Sequence, residues 1–149
     1  MLRHPHPTKI ICIDPCFNNI HTLLTNNLSR NNIHKHDWVL YDKLSQDPQL
    51  LAKLKGECLK VDLLFIDGEH SSEAVSRDFN NYHEFVNKGG FIVFDDYGCA
   101  PSVKKAVDGI VAKINKNKYT IIGCLPNIKK AYSKMERVIS NLFIVYVNP

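Results

Sequence analysis

The sequence lacks the features that mark several classes of protein. No apolar run reaches the roughly 18 residues of a membrane-spanning helix, and the first residues contain no apolar stretch like that of a signal peptide. The five cysteines are odd in number and include no Cys-x-x-Cys pair, which favours neither a disulfide framework nor a zinc ribbon. We therefore expect a cytosolic protein with reduced thiols and no membrane partner.

The length and composition are ordinary for one globular domain. The chain has 149 residues, 44% of them hydrophobic and 23% charged, which argues against disorder and coiled coil. We expect a single domain over residues 1–149. Residues 100–149 carry 9 basic and 2 acidic side chains, but no aromatic residues alternate with the lysines. A solvated basic face is therefore favoured over a surface for nucleic acid.

Segments with the pattern of strands alternate with segments that have the pattern of helices. This alternation predicts an α/β fold with a mainly parallel sheet. The expected strands cover residues 9–13, 38–41, 61–66 and 91–94, and the expected helices cover 18–30, 48–56, 71–87 and 101–115. The runs at 119–125 and 141–147 predict a terminal antiparallel pair with a long connection.

The run at residues 61–66 is apolar almost throughout, as in strands that are buried on both faces. Asp67-Gly68 after it could form a hairpin turn, but the residues that follow have helical spacing. We expect Lys88-Gly89-Gly90 to end that helix. The strands at 61–66 and 91–94 are then parallel neighbours.

Three expected strands end in carboxylates, at Asp14, Asp67 and the pair Asp95-Asp96. Ligands of open α/β sheets bind at this edge, and clustered carboxylates repel each other unless a proton or a hard cation lies between them. Magnesium, calcium or manganese would suit such oxygen ligands. The alternative is that Asp67 caps the next helix and that Asp95-Asp96 belong to a polar turn.

His70 follows Asp67 by three residues and could act as a general base toward a substrate held by the cation. The alternative is a partly exposed capping residue at the start of the helix. Asp14 occupies the place where a carboxylate binds ribose hydroxyls, although a helix-cap or turn role fits equally well. The other six histidines fit no ligand pattern.

Residues 62–70, Asp78, residues 89–97 and residues 103–108 together resemble class I S-adenosylmethionine-dependent methyltransferases. The nearest group is the metal-dependent O-methyltransferases that include the macrocin-type enzymes. The resemblance implies a doubly wound, Rossmann-like sheet, with S-adenosylmethionine and Mg²⁺ as cofactors. It makes Asp67, Asp95 and Asp96 the metal ligands and His70 the base. It also places Asp14 at the ribose and Ser45, Gln46 and Asp47 near the adenine.

The sequence departs from that family in one respect. The family begins with a strand and a Glu-x-Gly-x-Gly loop around the methionine part of the cofactor, and no Gly-x-Gly occurs in this sequence. That strand would lie between the strands ending at Asp14 and Asp67. We expect those two strands to pair directly in a six-stranded sheet; the alternative is a gap whose unpaired backbone groups a partner strand would fill. With direct pairing, we expect the isolated chain to bind S-adenosylmethionine weakly or not at all.

These patterns support two main hypotheses about function. The first is an O-methyltransferase in which a cation holds a small hydroxylated substrate and His70 takes its proton. The second is a methyltransferase-like domain without catalysis, which acts as a binding or structural protein, forms a homo-oligomer or completes its site with another chain. Nucleic-acid binding is less favoured than either, because no stacking platform accompanies the lysines.

Overall fold

Strands and helices alternate in the described part of the chain, as predicted. A computed structural model describes residues 9–15, 22, 26, 30, 38–124 and 142–149. Its elements are β1 (Ile10–Ile13), β2 (Trp38–Tyr41), α1 (Pro48–Gly56), β3 (Val61–Ile66), α2 (Ser72–Tyr82), a 3₁₀ turn (His83–Phe85), β4 (Val86–Phe94), α3 (Pro101–Lys113), β5 (Tyr119–Cys124) and β6 (Phe143–Val147). The predicted helix at 18–30, apart from its three described positions, and the connection between β5 and β6 lie outside the described residues. None of the described helices is long and apolar enough to cross a membrane.

The chain divides into two compact units, residues 1–53 and 54–149. In the first unit, β1 and β2 form a parallel two-stranded sheet. Helix α1 begins as predicted, because Asp47 Oδ1 accepts hydrogen bonds from the backbone N–H groups of Gln49 (2.9 Å) and Leu50 (3.0 Å). Pro48 is then the first helical residue, a position where no N–H is needed.

The second unit contains a four-stranded sheet in the order β3-β4-β6-β5. Strands β3 and β4 are parallel, and Ile66 pairs with Phe94 at their carboxyl ends. Strand β6 is antiparallel to both β4 and β5, so the other three strands run in one direction. The predictions of parallel neighbours and of a terminal antiparallel pair are confirmed.

The expected pairing of β1 with β3 is wrong. The described strands form one sheet of two strands and one of four, in which β1 pairs with β2 and β3 pairs with β4. Each of these strands therefore pairs with the next strand along the chain, the commonest arrangement in α/β folds. β3 is the edge strand of its sheet within the described part of the chain.

Helices α2 and α3 pack against one face of the four-stranded sheet. The core between them includes Phe79, Ile92, Phe94, Val107 and Val145. The opposite face carries Leu63, Phe65 and Phe91, whose exposed fractions are 56%, 50% and 40%. The expectation that residues 61–66 are buried on both faces is therefore wrong, because only the helix-facing side chains of β3 reach the core.

Helix α2 ends five residues earlier than expected. Phe85 and Val86 are buried, and Val86 already pairs with Val61 of β3. Burial of these two apolar residues favours entry into the sheet over a further helical turn. Gly89, with φ 83°, lies in an irregular part of β4 and does not end the helix.

Gly90 allows close approach of two backbone segments, and we expect Gly90→Ala to destabilise the fold. A Cβ there would lie 2.8 Å from the carbonyl oxygen of Asp62 and 2.9 Å from that of Asn87. The expected loss is about 1–3 kcal/mol of unfolding free energy, measured by urea denaturation. Gly109→Ala in α3 is the control, because its Cβ would meet nothing within 4 Å and should stabilise the helix. Equal effects of the two changes would contradict this explanation.

His83 is packed into the second unit away from the strand ends. Its ring stacks on Phe79 with 4.7 Å between centroids, and its Nδ1 lies 2.7 Å from the hydroxyl oxygen of Tyr119. Burial lowers the pKa of His83, the nearby Lys118 lowers it further, and Glu84 opposes the shift. Protonation of His83 therefore disfavours the folded state.

We expect the protein to lose stability as the pH falls below about 6.5, the ordinary pKa of histidine. The unfolded chain then binds a proton that folded His83 resists, so part of the unfolding free energy is present above this pH and lost below it. His83→Gln, which keeps a polar partner for Tyr119 but does not titrate, should flatten the profile between pH 7 and pH 5. Parallel profiles of the two proteins in urea denaturation would contradict this assignment.

Candidate functional site

Three acidic residues follow the carboxyl ends of β3 and β4. Asp67 comes directly after β3, and Asp95-Asp96 come directly after β4. The backbone N–H of Asp95 donates to the carbonyl oxygen of Ile66 at 3.0 Å, which continues the ladder one step past the strands. The expected position of these residues at the ends of adjacent parallel strands is confirmed.

Asp67, His70 and Asp96 form a compact group of possible ligands. One atom from each side chain lies within 4.8 Å of the corresponding atoms of the other two. His70 Nε2 is 3.0 Å from Asp96 Oδ2 and 4.0 Å from Asp67 Oδ1. His70 and Asp67 are about half-exposed, and Asp96 is less so, which leaves the group open to small ligands.

Asp95 lies beside this group and has a different set of contacts. Its Oδ1 accepts a hydrogen bond from the backbone N–H of Asp96 at 2.8 Å. Asp96 has φ 55°, a left-handed conformation that non-glycine residues seldom adopt. The turn therefore directs the Asp96 side chain toward His70, and His70 takes the third place in the group that the sequence assigned to Asp95.

The carboxylates affect each other electrostatically. Burial raises the pKa of Asp67 above its ordinary value, and the negative charges of Asp95 and Asp96 raise it further, whereas His70 lowers it. Burial and the neighbouring negative charges therefore both disfavour the charged form of Asp67. A positive group bound between the carboxylates would relieve the repulsion.

Two serines position the segment that contains His70. The Ser102 hydroxyl donates to the carbonyl oxygen of His70, and the Ser72 hydroxyl donates to the carbonyl oxygen of Ser102 at 2.7 Å. Ser71 caps α2 by accepting a hydrogen bond from the N–H of Ala74. The cap is thus supplied by Ser71, so neither Asp67 nor His70 is needed for it.

A second network holds the turn after Asp96. The Tyr97 hydroxyl donates to Asp108 Oδ1 at 2.8 Å, and Lys104 Nζ lies 2.6 Å from Asp108 Oδ2. The Tyr97 ring also packs on Phe143, with 4.7 Å between centroids. Sequence analysis gave no role to this network or to Ser72 and Ser102. The spacing of Lys104 and Asp108, which makes the two side chains neighbours on one helix, is the sequence feature that could have revealed this network.

The residues expected at the cofactor lie in the first unit. The N–H of Asp14 donates to the carbonyl oxygen of Tyr41 at 3.1 Å, and the Ser45 hydroxyl donates to Gln46 Oε1 at 3.2 Å. Asp47 caps α1 and lies 3.3 Å from Lys43 Nζ. The hydrogen bond from Leu50 N–H is the main cause of the lowered pKa of Asp47.

Gln46 and Asp47 border an open concavity of about 470 Å³, whereas Asp14 and Ser45 are not among the residues that line it. Its lining includes Pro15, Asp42, Lys43, Gln46 and Asp47. A volume of this size is within the range of small-molecule sites. Gln46 and Asp47 therefore lie beside a space that a ligand can enter, and their place near the adenine stays a prediction.

Comparisons with known proteins give the family and the fold. Residues 1–97 match the family described as a methyltransferase domain. A functionally uncharacterised protein of Acanthamoeba polyphaga mimivirus is 38% identical over 136 residues, which cover 85% of this chain and 62% of that protein. The chain therefore spans less than two thirds of the length of this relative.

Two solved structures show the same fold at low sequence identity. An O-methyltransferase from Bacillus cereus in complex with SAH has a TM-score of 0.68 and 12% identity, covering 94% of this chain and 63% of that chain. An rRNA methylase from Streptococcus thermophilus has a TM-score of 0.67 and 11% identity, covering 95% of this chain and 74% of that chain. The expected Rossmann-like α/β fold is confirmed.

Proposed function

The chain belongs to the family of methyltransferase domains, and from this membership we propose that it transfers a methyl group from S-adenosylmethionine to a hydroxyl of a small substrate, assisted by a divalent cation. The observation that carries the proposal is the group formed by Asp67, His70 and Asp96 at the strand ends. Oxygen methylation needs a deprotonated or polarised hydroxyl, and carboxylates beside an imidazole suit that requirement.

The donor atoms fit a hard cation. Ligands of magnesium or calcium lie about 2.0–2.6 Å from the ion, so two ligands of one ion are at most about 4–5 Å apart. The three donor atoms satisfy this limit. Asp67 and Asp96 would hold the ion, and Asp95 would contribute from the same edge. When bound, the cation would lower the pKa of a substrate hydroxyl.

His70 suits the role of base better than that of ligand. Hard cations prefer oxygen to nitrogen, and carboxylate oxygens are already present. A neutral His70 with its proton on Nε2 donates to Asp96 Oδ2 across the 3.0 Å contact. Nδ1 then carries the lone pair that accepts the proton of the substrate, and Asp96 stabilises the imidazolium that forms.

The first unit fits the nucleoside end of S-adenosylmethionine. Asp14 offers a carboxylate for the ribose hydroxyls, and Gln46 offers an amide beside the open concavity. Asp47 would contribute through the shape of the turn, because its carboxylate is occupied by the N-terminus of α1.

The first test is cation binding, measured by isothermal calorimetry with Mn²⁺. Asp67→Asn and Asp96→Asn should each weaken binding by about 10- to 100-fold, because each change removes a charged ligand. Asp62→Asn is the matched control, since Asp62 lies at the other end of β3 and accepts a hydrogen bond from Asn87. Unchanged affinity in both site variants would contradict the cation site.

The second test is transfer of a labelled methyl group from S-adenosylmethionine to small polyhydroxylated acceptors. His70→Ala should lower turnover by about 10²–10⁴-fold without unfolding the domain, whereas His83→Gln should leave turnover unchanged at pH 8. Wild-type turnover in His70→Ala would contradict the role of the base. Methyl transfer to RNA alone would contradict the proposed class of small hydroxylated substrates. If calorimetry detects no binding of S-adenosylmethionine, with or without Mg²⁺, the non-catalytic alternative is favoured.

A further inference from the structure

The group at the strand ends contains one nitrogen donor beside two oxygen donors. His70 Nε2 lies 3.0 Å from Asp96 Oδ2 and 4.0 Å from Asp67 Oδ1, and one atom of each side chain lies within 4.8 Å of the other two. Asp95 Oδ1 instead accepts the backbone N–H of Asp96. The compact group therefore combines an imidazole with two carboxylates.

Metal ions differ in how they use such a mixed set of donors. Mg²⁺ and Ca²⁺ take oxygen ligands, whereas Zn²⁺ takes imidazole nitrogen readily and binds a given site more tightly than Mn²⁺ does. In a tetrahedral zinc site, ligand atoms about 2.0–2.1 Å from the ion are about 3.3 Å apart. The separations of 3.0 Å and 4.0 Å at His70 Nε2 lie on either side of this value. The half-exposed side chains of Asp67 and His70 leave room for a water as the fourth ligand.

We propose that a nitrogen-preferring ion such as Zn²⁺ binds Asp67, Asp96 and His70 together and so removes the lone pair that His70 needs as a base. This inference rests on the proposed function, because it concerns the residue assigned there as the base. A hard cation held by the two carboxylates leaves His70 with its Nε2 proton and its Nδ1 lone pair. Zn²⁺ converts the same side chain from a base into a ligand.

Coordination at Nε2 changes which ring nitrogen carries the proton. A neutral imidazole has one N–H and one lone pair, and the nitrogen that binds the metal must supply the lone pair. When Zn²⁺ binds Nε2, this nitrogen releases its proton to water and Nδ1 takes one up, so His70 stays neutral and no proton is gained or lost overall. Nδ1 then has no lone pair for the proton of a substrate hydroxyl.

Displacement of Mn²⁺ by Zn²⁺ tests whether the two ions share this site. The electron paramagnetic resonance signal of free Mn²⁺ rises as Zn²⁺ replaces it, and a metal buffer sets the concentration of free Zn²⁺. Zinc bound elsewhere, for example by the exposed thiols of Cys58, Cys99 and Cys124, releases no Mn²⁺, because Mn²⁺ prefers oxygen ligands. We expect Zn²⁺ to displace Mn²⁺ completely from the wild-type chain.

His70→Gln separates the two kinds of ion. It removes the imidazole but keeps a polar partner for Asp96, so the Zn²⁺ dissociation constant should rise at least about tenfold and that of Mn²⁺ by less than about threefold. His83→Gln is the matched control and should change neither constant, since His83 packs against Phe79 and Tyr119 away from the strand ends. Circular dichroism checks that both variants fold, and His70→Ala replaces His70→Gln if the latter does not.

The ¹⁵N NMR signals of the His70 ring report the position of the proton without Mn²⁺, cofactor or substrate. At pH 8 we expect the proton on Nδ1 once Zn²⁺ has been added. A proton that stays on Nε2 would overturn the proposal, and so would equal Zn²⁺ dissociation constants for the wild-type chain and His70→Gln. If Mn²⁺ does not bind, the cation site of the proposed function fails, and the NMR signals still decide whether Zn²⁺ binds His70.

Methyl transfer provides the last measurement. Zn²⁺ should lower kcat at least about tenfold, and an excess of Mg²⁺ should restore it, because His70 then regains its lone pair. Full turnover with Zn²⁺ bound to His70 would overturn the proposal. If the chain transfers no methyl group under any condition, the proposed function fails, whereas the NMR and displacement results decide the zinc site independently.

Discussion

The parallel pairing of β3 with β4 is the constraint on which the candidate site depends. Because Ile66 and Phe94 are opposite each other, the residues that follow them meet at one edge of the sheet. The hydrogen bond from Asp95 N–H to Ile66 fixes this meeting point at the backbone level. Phe94 is fully buried under the helices, so the register cannot slip without exposing the core.

This constraint forces like charges together, and the arrangement opposes the stability of the fold. Burial and, to a smaller extent, the repulsion of Asp95 and Asp96 raise the pKa of Asp67, and the left-handed backbone of Asp96 adds strain of about 1–3 kcal/mol. The core and the Tyr97 network compensate for both. Charged and strained groups that a fold retains at the carboxyl edge of its sheet are best explained by a ligand that interacts with them.

Much of this arrangement could be predicted from local sequence. The apolar runs locate β3 and β4, and the acids that follow them locate the site, because strand polarity in a parallel pair decides which ends meet. The end of α2 could not be predicted in this way. Phe85 and Val86 fit a helical pattern equally well, and only their burial in the second unit places them in the sheet. The contact from Ser102 to His70 joins residues 32 positions apart and leaves no local signal.

The sequence of β3 and the surroundings of that strand do not match. A strand this apolar suits a sheet interior, yet Leu63 and Phe65 lie on the edge strand of the described sheet and are half-exposed. Asp67 follows this strand directly, so its position relative to Asp96 depends on the pairing of β3 with β4. A cation held by Asp67 and Asp96 would therefore also stabilise the register in which Ile66 pairs with Phe94.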